Sequence, residues 1–212
     1  MKHYFSHWLK ALWNKRWLVL LAIFLTFFSN FITHLAGSYT DSVESAQSAP
    51  DFILDSFGPY DLNILFVWFL IFVCFVFYAY SLFIEPEKFH YYVIFAAILG
   101  LVRAGFITLT HLKSPVDVIS ATYPSFFNFL TFSNDLFFSG HTAFPFLGFL
   151  IFKNPWIKYF MLVSSIILGA STILMHQHYS IDVFAAFFIT YGIYRIGTIF
   201  FHRIGWLEGS SH

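Results

Sequence analysis

The run 62–84 contains no Asp, Glu, Lys or Arg. Five further runs, 17–35, 91–109, 140–152, 156–175 and 181–201, hold at most two such residues each. A bilayer's hydrocarbon core needs about 20 consecutive, mostly apolar residues per helical crossing. The run 140–152 is short and contains Pro145, whose missing N–H is expected to kink a helix. Such a helix is tolerable where neighbouring helices cover it. The chain is 58% hydrophobic, 24% aromatic and 10% charged, against about 25% charged in soluble domains. These features predict an all-α polytopic membrane protein with six transmembrane helices.

The segment 1–16 mixes Lys2, Lys10, Lys15 and Arg16 with Trp8 and Trp13. It reads as an amphipathic helix lying in the membrane interface. Residues 17–206 form one six-helix membrane domain with no internal repeat, and 207–212, "LEGSSH", reads as an expression-tag remnant. The stretch "AGSYTDSVESAQSAPD" at 36–51 is polar and rich in small residues, so a loop is expected there. Trp17, Trp156 and Trp206 suit interfacial belts. The formal net charge is zero, which gives no basic face for nucleic acid. Cys74 is the single cysteine, so no intramolecular disulfide forms. Small-residue pairs give no consistent packing stripe, and oligomeric state is not legible.

Lys and Arg bias sets orientation. With the N-terminus inside, the inner side holds Lys2, Lys10, Lys15, Arg16, Lys88, Lys153, Lys158, Arg195 and Arg203, and the outer side only Arg103 and Lys113. Asp41, Glu44, Asp51, Asp55 and Asp61 all fall in the first outer loop. This topology puts both termini in the cytoplasm. It also gathers Arg103, Asp135, His141, His178 and Asp182, from separate segments, at the outer leaflet.

Those residue types point to phosphate chemistry. His178 and Asp182 are four apart and share a helical face. A carboxylate bonded to one imidazole nitrogen fixes the tautomer and leaves the other as nucleophile or base. "SGHT" at 139–142 opens an apolar run, with Ser139 an expected N-cap and Gly140 permitting close backbone approach. A helix N-terminus binds phosphate through its free N–H groups. His141 in that turn can protonate a leaving oxygen, and Arg103 offers a fork suited to phosphate oxygens. A single histidine on an apolar face is more often structural, whereas a set of intramembrane ionisable groups points to function. His176 reads as an interfacial histidine. A metal site from His141, His176, His178 and Asp182 is chemically reasonable, but it has no supporting ligand spacing.

"DLFFSGHT" at 135–142 and "HQHYSIDV" at 176–183 resemble the third and fourth motifs of the sphingomyelin synthases and their ceramide phosphoethanolamine synthase relatives. These form a branch of the type 2 phosphatidic acid phosphatase superfamily. "RAGFITLTHLKSP" at 103–115 is similar to that branch's preceding motif, and the resemblance covers roughly 60–205. It implies a phosphatidic acid phosphatase-like helix bundle. It also implies that His178 attacks a lipid phosphorus, Asp182 orients it, and His141 protonates the departing alkoxide and then activates the acceptor. Arg103, Asp135, Ser139, Gly140, Thr142 and Tyr179 are the implied substrate- and phosphate-binding residues. No metal or organic cofactor is implied. The family's outer-loop glutamate has no counterpart, and Asp117 is the one candidate in its place. The phosphatase motif Lys-x6-Arg-Pro is absent, and Ser171–Thr172 stands where phosphatases carry Ser-Arg. The resemblance thus implies a phosphotransferase whose partners are a membrane phospholipid and a lipid alcohol, ceramide or diacylglycerol. The alternatives are a phosphatase or phospholipase C-like hydrolase using water at the same site, and a lipid-binding or transport protein.

Overall fold

A computed structural model of the chain describes residues 2–125, 129, 131–203 and 205. Trp206 and the segment 207–212 lie outside them. Among the described residues the fold is helical without strands, and Gln47 and Leu112 form an isolated bridge. Seven helices follow in order: α1 Lys2–Asn14, α2 Arg16–Asp41, α3 Leu70–Ala79, α4 Phe89–Leu109, α5 Gly140–Ile151, α6 Pro155–Leu174 and α7 Ser180–Arg203. Wider π-helical turns, Ile64–Phe69 and Tyr80–Ile84, extend α3 at both ends, and the 3-10 turn Pro86–Lys88 leads into α4.

Among the described residues, five segments are long and apolar enough to cross a membrane: Arg16–Asp41, Ile64–Ile84, Pro86–Leu109, Pro155–Leu174 and Ser180–Arg203. The six apolar runs of the sequence fall on these five and on α5, which has only 12 residues. Phe24, Phe27, Phe72, Phe188 and Ile196 are exposed on the helix exteriors, a surface suited to hydrocarbon rather than water.

The expected loop at 36–51 begins late, because α2 continues to Asp41. Ala36, Gly37 and Thr40 are buried there, and Phe132 packs so closely on Gly37 that a Cβ would collide with its ring. The Thr40 hydroxyl donates to the Gly37 carbonyl at 2.9 Å. Tertiary packing thus overrides a composition that reads as a turn.

Helix α2 packs along α4, and α5 packs against α3, α4, α6 and α7. This central place lets α5 run unbroken through Pro145. At the C-terminal end of α5, Phe152 meets the rings of Phe77, Tyr80 and Tyr92 at centroid distances of 5.1, 5.0 and 4.9 Å. Helix α1 docks at this end, where Trp8 Nε1 donates to the Leu82 carbonyl at 2.8 Å. Glu85 accepts hydrogen bonds from Lys88, Tyr92 and Tyr80 at 2.6, 2.6 and 2.8 Å. Burial raises its carboxyl, yet these donors outweigh burial and hold it below the usual glutamate range.

Close contact of α5, α6 and α7 depends on Gly169. A Cβ there would stand 2.9 Å from Thr142 Oγ1 and 3.1 Å from Val183 Cγ1. Gly169→Leu is therefore expected to lower unfolding free energy by about 1–3 kcal/mol, read as a fall in the thermal midpoint in detergent.

Candidate active site

The turn that starts α7 carries the first element of the site. Asp182 lies in its first turn, fully buried, where the positive end of the helix dipole favours a carboxylate. Its Oδ2 stands 3.3 Å from His178 Nδ1 and accepts the Tyr179 N–H at 3.0 Å. Among the described residues, Asp182 Oδ1 is buried without a hydrogen-bond partner. The contact at Nδ1 leaves His178 Nε2 as the nitrogen free of the carboxylate.

This turn is clamped from a distant segment. Asp51 accepts the Ser180 N–H at 2.7 Å and the Ser180 hydroxyl at 2.9 Å, and also the N–H groups of Ile53 and Leu54 at 2.9 and 3.1 Å. It works as a helix cap supplied across 129 residues. Burial raises the Asp51 carboxyl, but the hydrogen bonds from Ser180, Leu54 and Ile53 together hold it below its usual range.

The second element is the start of α5. Ser139 occupies the expected N-cap position with extended backbone, but its side chain bonds no first-turn N–H group. Its own N–H donates to the Asp182 carbonyl at 3.1 Å, which joins the opening turns of α5 and α7. The Ser139 hydroxyl is buried and accepts from Thr142 Oγ1 at 3.3 Å. Ser165 of α6 donates to the Thr142 carbonyl at 2.8 Å. His141 stacks on Phe66 with ring centroids 3.9 Å apart at 22°. Its Nε2 lies 3.3 Å from the Tyr123 hydroxyl. Burial, then the negative charge of Asp135, pushes that hydroxyl above the usual tyrosine range, so it keeps its proton.

Arg103 on α4 completes the group. Its Nε donates to the Phe138 carbonyl at 2.8 Å, one terminal nitrogen to Asp135 Oδ2 at 2.9 Å and the other to the Asp135 carbonyl at 3.1 Å. The latter nitrogen also stands 2.8 Å from Asp135 Oδ1 in an ion pair. At least three of five guanidinium N–H donors are thus taken within the protein. Gly140 makes room, since a Cβ there would lie 3.2 Å from Arg103 Nε.

Arg103, Asp135, Gly140, His141 and His178 line one cavity of about 580 Å³, together with Phe66, Tyr123 and Gln177. Ser139, Thr142, Asp182 and Tyr179 do not line it. Asp182 reaches it through His178, and Ser139 and Thr142 lie in the buried contact behind it. The Tyr179 hydroxyl instead donates to the Lys113 carbonyl at 2.8 Å and accepts the Ala49 N–H at 2.9 Å, tying two loops together.

His176 stands apart. Its φ is +55°, and its two ring nitrogens lie 3.2 Å from the Val116 carbonyl and 3.1 Å from the Phe57 carbonyl. With Asp51, Asp55 and Asp117 it lines a second depression of about 410 Å³. A four-ligand set of His141, His176, His178 and Asp182 therefore does not assemble. Among the described residues no three His, Cys, Asp or Glu side chains group as a metal centre requires. Sequence reasoning missed Tyr123, Phe66 and Gln177, which stand in a loop, in the π-helical turn before α3 and in the turn before α7, because tertiary packing rather than spacing brings them to the cavity. Asp51 was visible only as one of several loop acids.

Asp51→Ala is expected to destabilise the protein by about 0.5–2 kcal/mol, as loss of a cap does. The native Asp51 carboxyl lies below its ordinary value of 3.8. Its contribution is therefore complete above that value and lost as pH falls through the lowered native one. Thermal midpoints of wild type and variant, compared in detergent, should converge under strong acid and separate towards neutral pH.

The comparisons with known proteins bear on this same region. Residues 132–199 match the family model described as PAP2 superfamily C-terminal. No curated protein and no solved structure matches the chain. The matched segment is about a third of the sequence and takes in Asp135, His141, His178 and Asp182. That match supports the PAP2 superfamily, and with it lipid phosphatase or phosphotransferase activity, for the part of the chain that carries both histidines.

Proposed function

We propose that this protein is a membrane lipid phosphotransferase of the sphingomyelin synthase-like branch. On this reading it cleaves a glycerophospholipid and passes the phospho-headgroup to a lipid alcohol, ceramide or diacylglycerol. The observation that carries the reading is the buried, carboxylate-held His178 facing the same cavity as His141. His178 Nε2 attacks phosphorus as the phosphate–glycerol ester bond breaks. His141 gives its proton to the departing alkoxide, which leaves as diacylglycerol, and the headgroup phosphate stays on His178. His141 then takes the proton of the acceptor hydroxyl. The acceptor oxygen attacks phosphorus, and the P–N bond breaks to release His178.

The charge of the site favours a phosphodiester over a phosphomonoester. Asp135 neutralises Arg103 within the cavity, and a dianionic phosphate wants surplus positive charge. A phosphodiester carries one charge and needs less. The Lys and Arg bias supports an orientation with this end of the bundle at the outer leaflet, both termini in the cytoplasm and α1 in the opposite interface.

The test uses purified protein in mixed micelles with a headgroup-labelled phospholipid, with and without ceramide or diacylglycerol. Label is expected to move to the added lipid alcohol. His178→Ala should lower the rate by at least about a thousandfold. Asp182→Asn should lower it by about a hundredfold or more, since the imidazole loses its fixed tautomer. Release of water-soluble phospho-headgroup, equally lost in His178→Ala, would make the enzyme a hydrolase. Headgroup transfer surviving in His178→Ala would overturn the phosphohistidine mechanism.

A further inference from the structure

The catalytic cavity does not end at its polar groups. Beyond Phe66 its wall is one face of α3: Leu70, Cys74 and Tyr78 along one row, with Ile71 and Phe75 beside them. These are i, i+4 rows, so they form adjacent ridges on one side of the helix. The other faces of α3 are already used. Val73 and Phe77 are buried in the bundle core, and Phe72 is exposed on the exterior. Phe75 and Tyr78 line the cavity and remain exposed, so this stretch is a groove open to its side. Thr131 and Phe132, from the loop before α5, line the same cavity.

We propose that this groove holds a single acyl chain of the lipid whose phosphate reaches His178, and that Cys74 and Tyr78 set the chain length accepted. The inference rests on the phosphotransferase reading for its polar end. Three features select a hydrocarbon chain over another occupant. The groove runs along a helix that is long and apolar enough to cross a membrane. It is continuous with the cavity that holds both histidines. The α3 ridge residues carry no charge, and the polar groups sit together at the other end, as a lipid's headgroup and tail do. From Leu70 to Tyr78 the groove is about 12 Å long at 1.5 Å per residue. An octanoyl chain fits before Tyr78, and a palmitoyl chain must pass it. Cys74 stands midway, where its small side chain leaves the groove passable.

Cys74→Trp should block the groove at its middle. In mixed micelles its rate on dipalmitoyl phospholipid is expected to fall at least tenfold more than its rate on dioctanoyl phospholipid, whose chain ends shortly beyond Cys74. Tyr78→Ala should raise the palmitoyl-to-octanoyl ratio. Equal loss on both lipids in Cys74→Trp, or no change on either, overturns the proposal. A second readout does not need turnover. A phospholipid with a diazirine midway along one acyl chain should crosslink to Leu70, Ile71, Cys74 or Phe75 in wild type and in His178→Ala alike, and at least tenfold less in Cys74→Trp. Crosslinks confined to exterior residues such as Phe72 would show bulk lipid contact and overturn it. Crosslinking to the groove without headgroup transfer in wild type would leave the acyl site standing and sink the phosphotransferase reading.

Discussion

The Ser139 N–H donating to the Asp182 carbonyl is the bond on which the site's geometry depends. It joins two helix starts, each carrying one histidine of the pair, and it is main chain to main chain. Side-chain partners then fix each turn from outside. Asp51 grips Ser180 from the first long loop, and Ser165 of α6 grips the Thr142 carbonyl. Helix N-termini leave backbone N–H groups without internal partners. Here part of that deficit is met by neighbouring segments, and meeting it aligns His141 and His178 on one cavity.

Electrostatics inside this low-dielectric bundle obey the same economy. Arg103 is not presented as a bare cation. Asp135 and the Phe138 carbonyl hold it, and Gly140 has no side chain to obstruct its approach. A buried pair broken on one side costs far more than it contributes when intact. Each partner therefore constrains the other, and the loop bearing Asp135 is anchored to α4 through them. Beside this pair the Tyr123 hydroxyl lies 3.3 Å from His141 Nε2, and Phe66, from the turn leading into α3, stacks on the His141 ring, although neither belongs to a motif.

The apolar runs made the helices legible, because hydrocarbon leaves little choice but helix for a run such as 62–84. The contact of His178 with Asp182 was readable from spacing, although His178 stands in the turn before α7 and not on its face as expected, and the gathering of Arg103, Asp135 and His141 was readable from topology. The end of α2 was not, because Phe132 packing on Gly37 is a contact across nearly a hundred residues that polar composition conceals. Ser139 and Thr142 look like cradle residues in sequence, yet they fill the buried joint behind the cavity. Tyr179 sits beside His178 in the chain and faces the opposite way, since the turn before α7 reverses neighbouring side chains. His176 parted from His178 for the same reason, with its left-handed backbone sending the ring between two loop carbonyls.

The shortness of α5 has a consequence for depth. Its 12 residues reach about 18 Å, while the hydrocarbon core of a bilayer is about 30 Å thick. With its last turn level with the ends of α3 and α4 at Phe152, its first turn stops roughly 12 Å short of the far surface. On the proposed reading the two histidines, which stand at that short end, lie beneath the headgroup plane, and a lipid must lower its phosphate to meet them. At that depth water is scarce. On the proposed reading, immersion itself would then favour a lipid alcohol over water as acceptor.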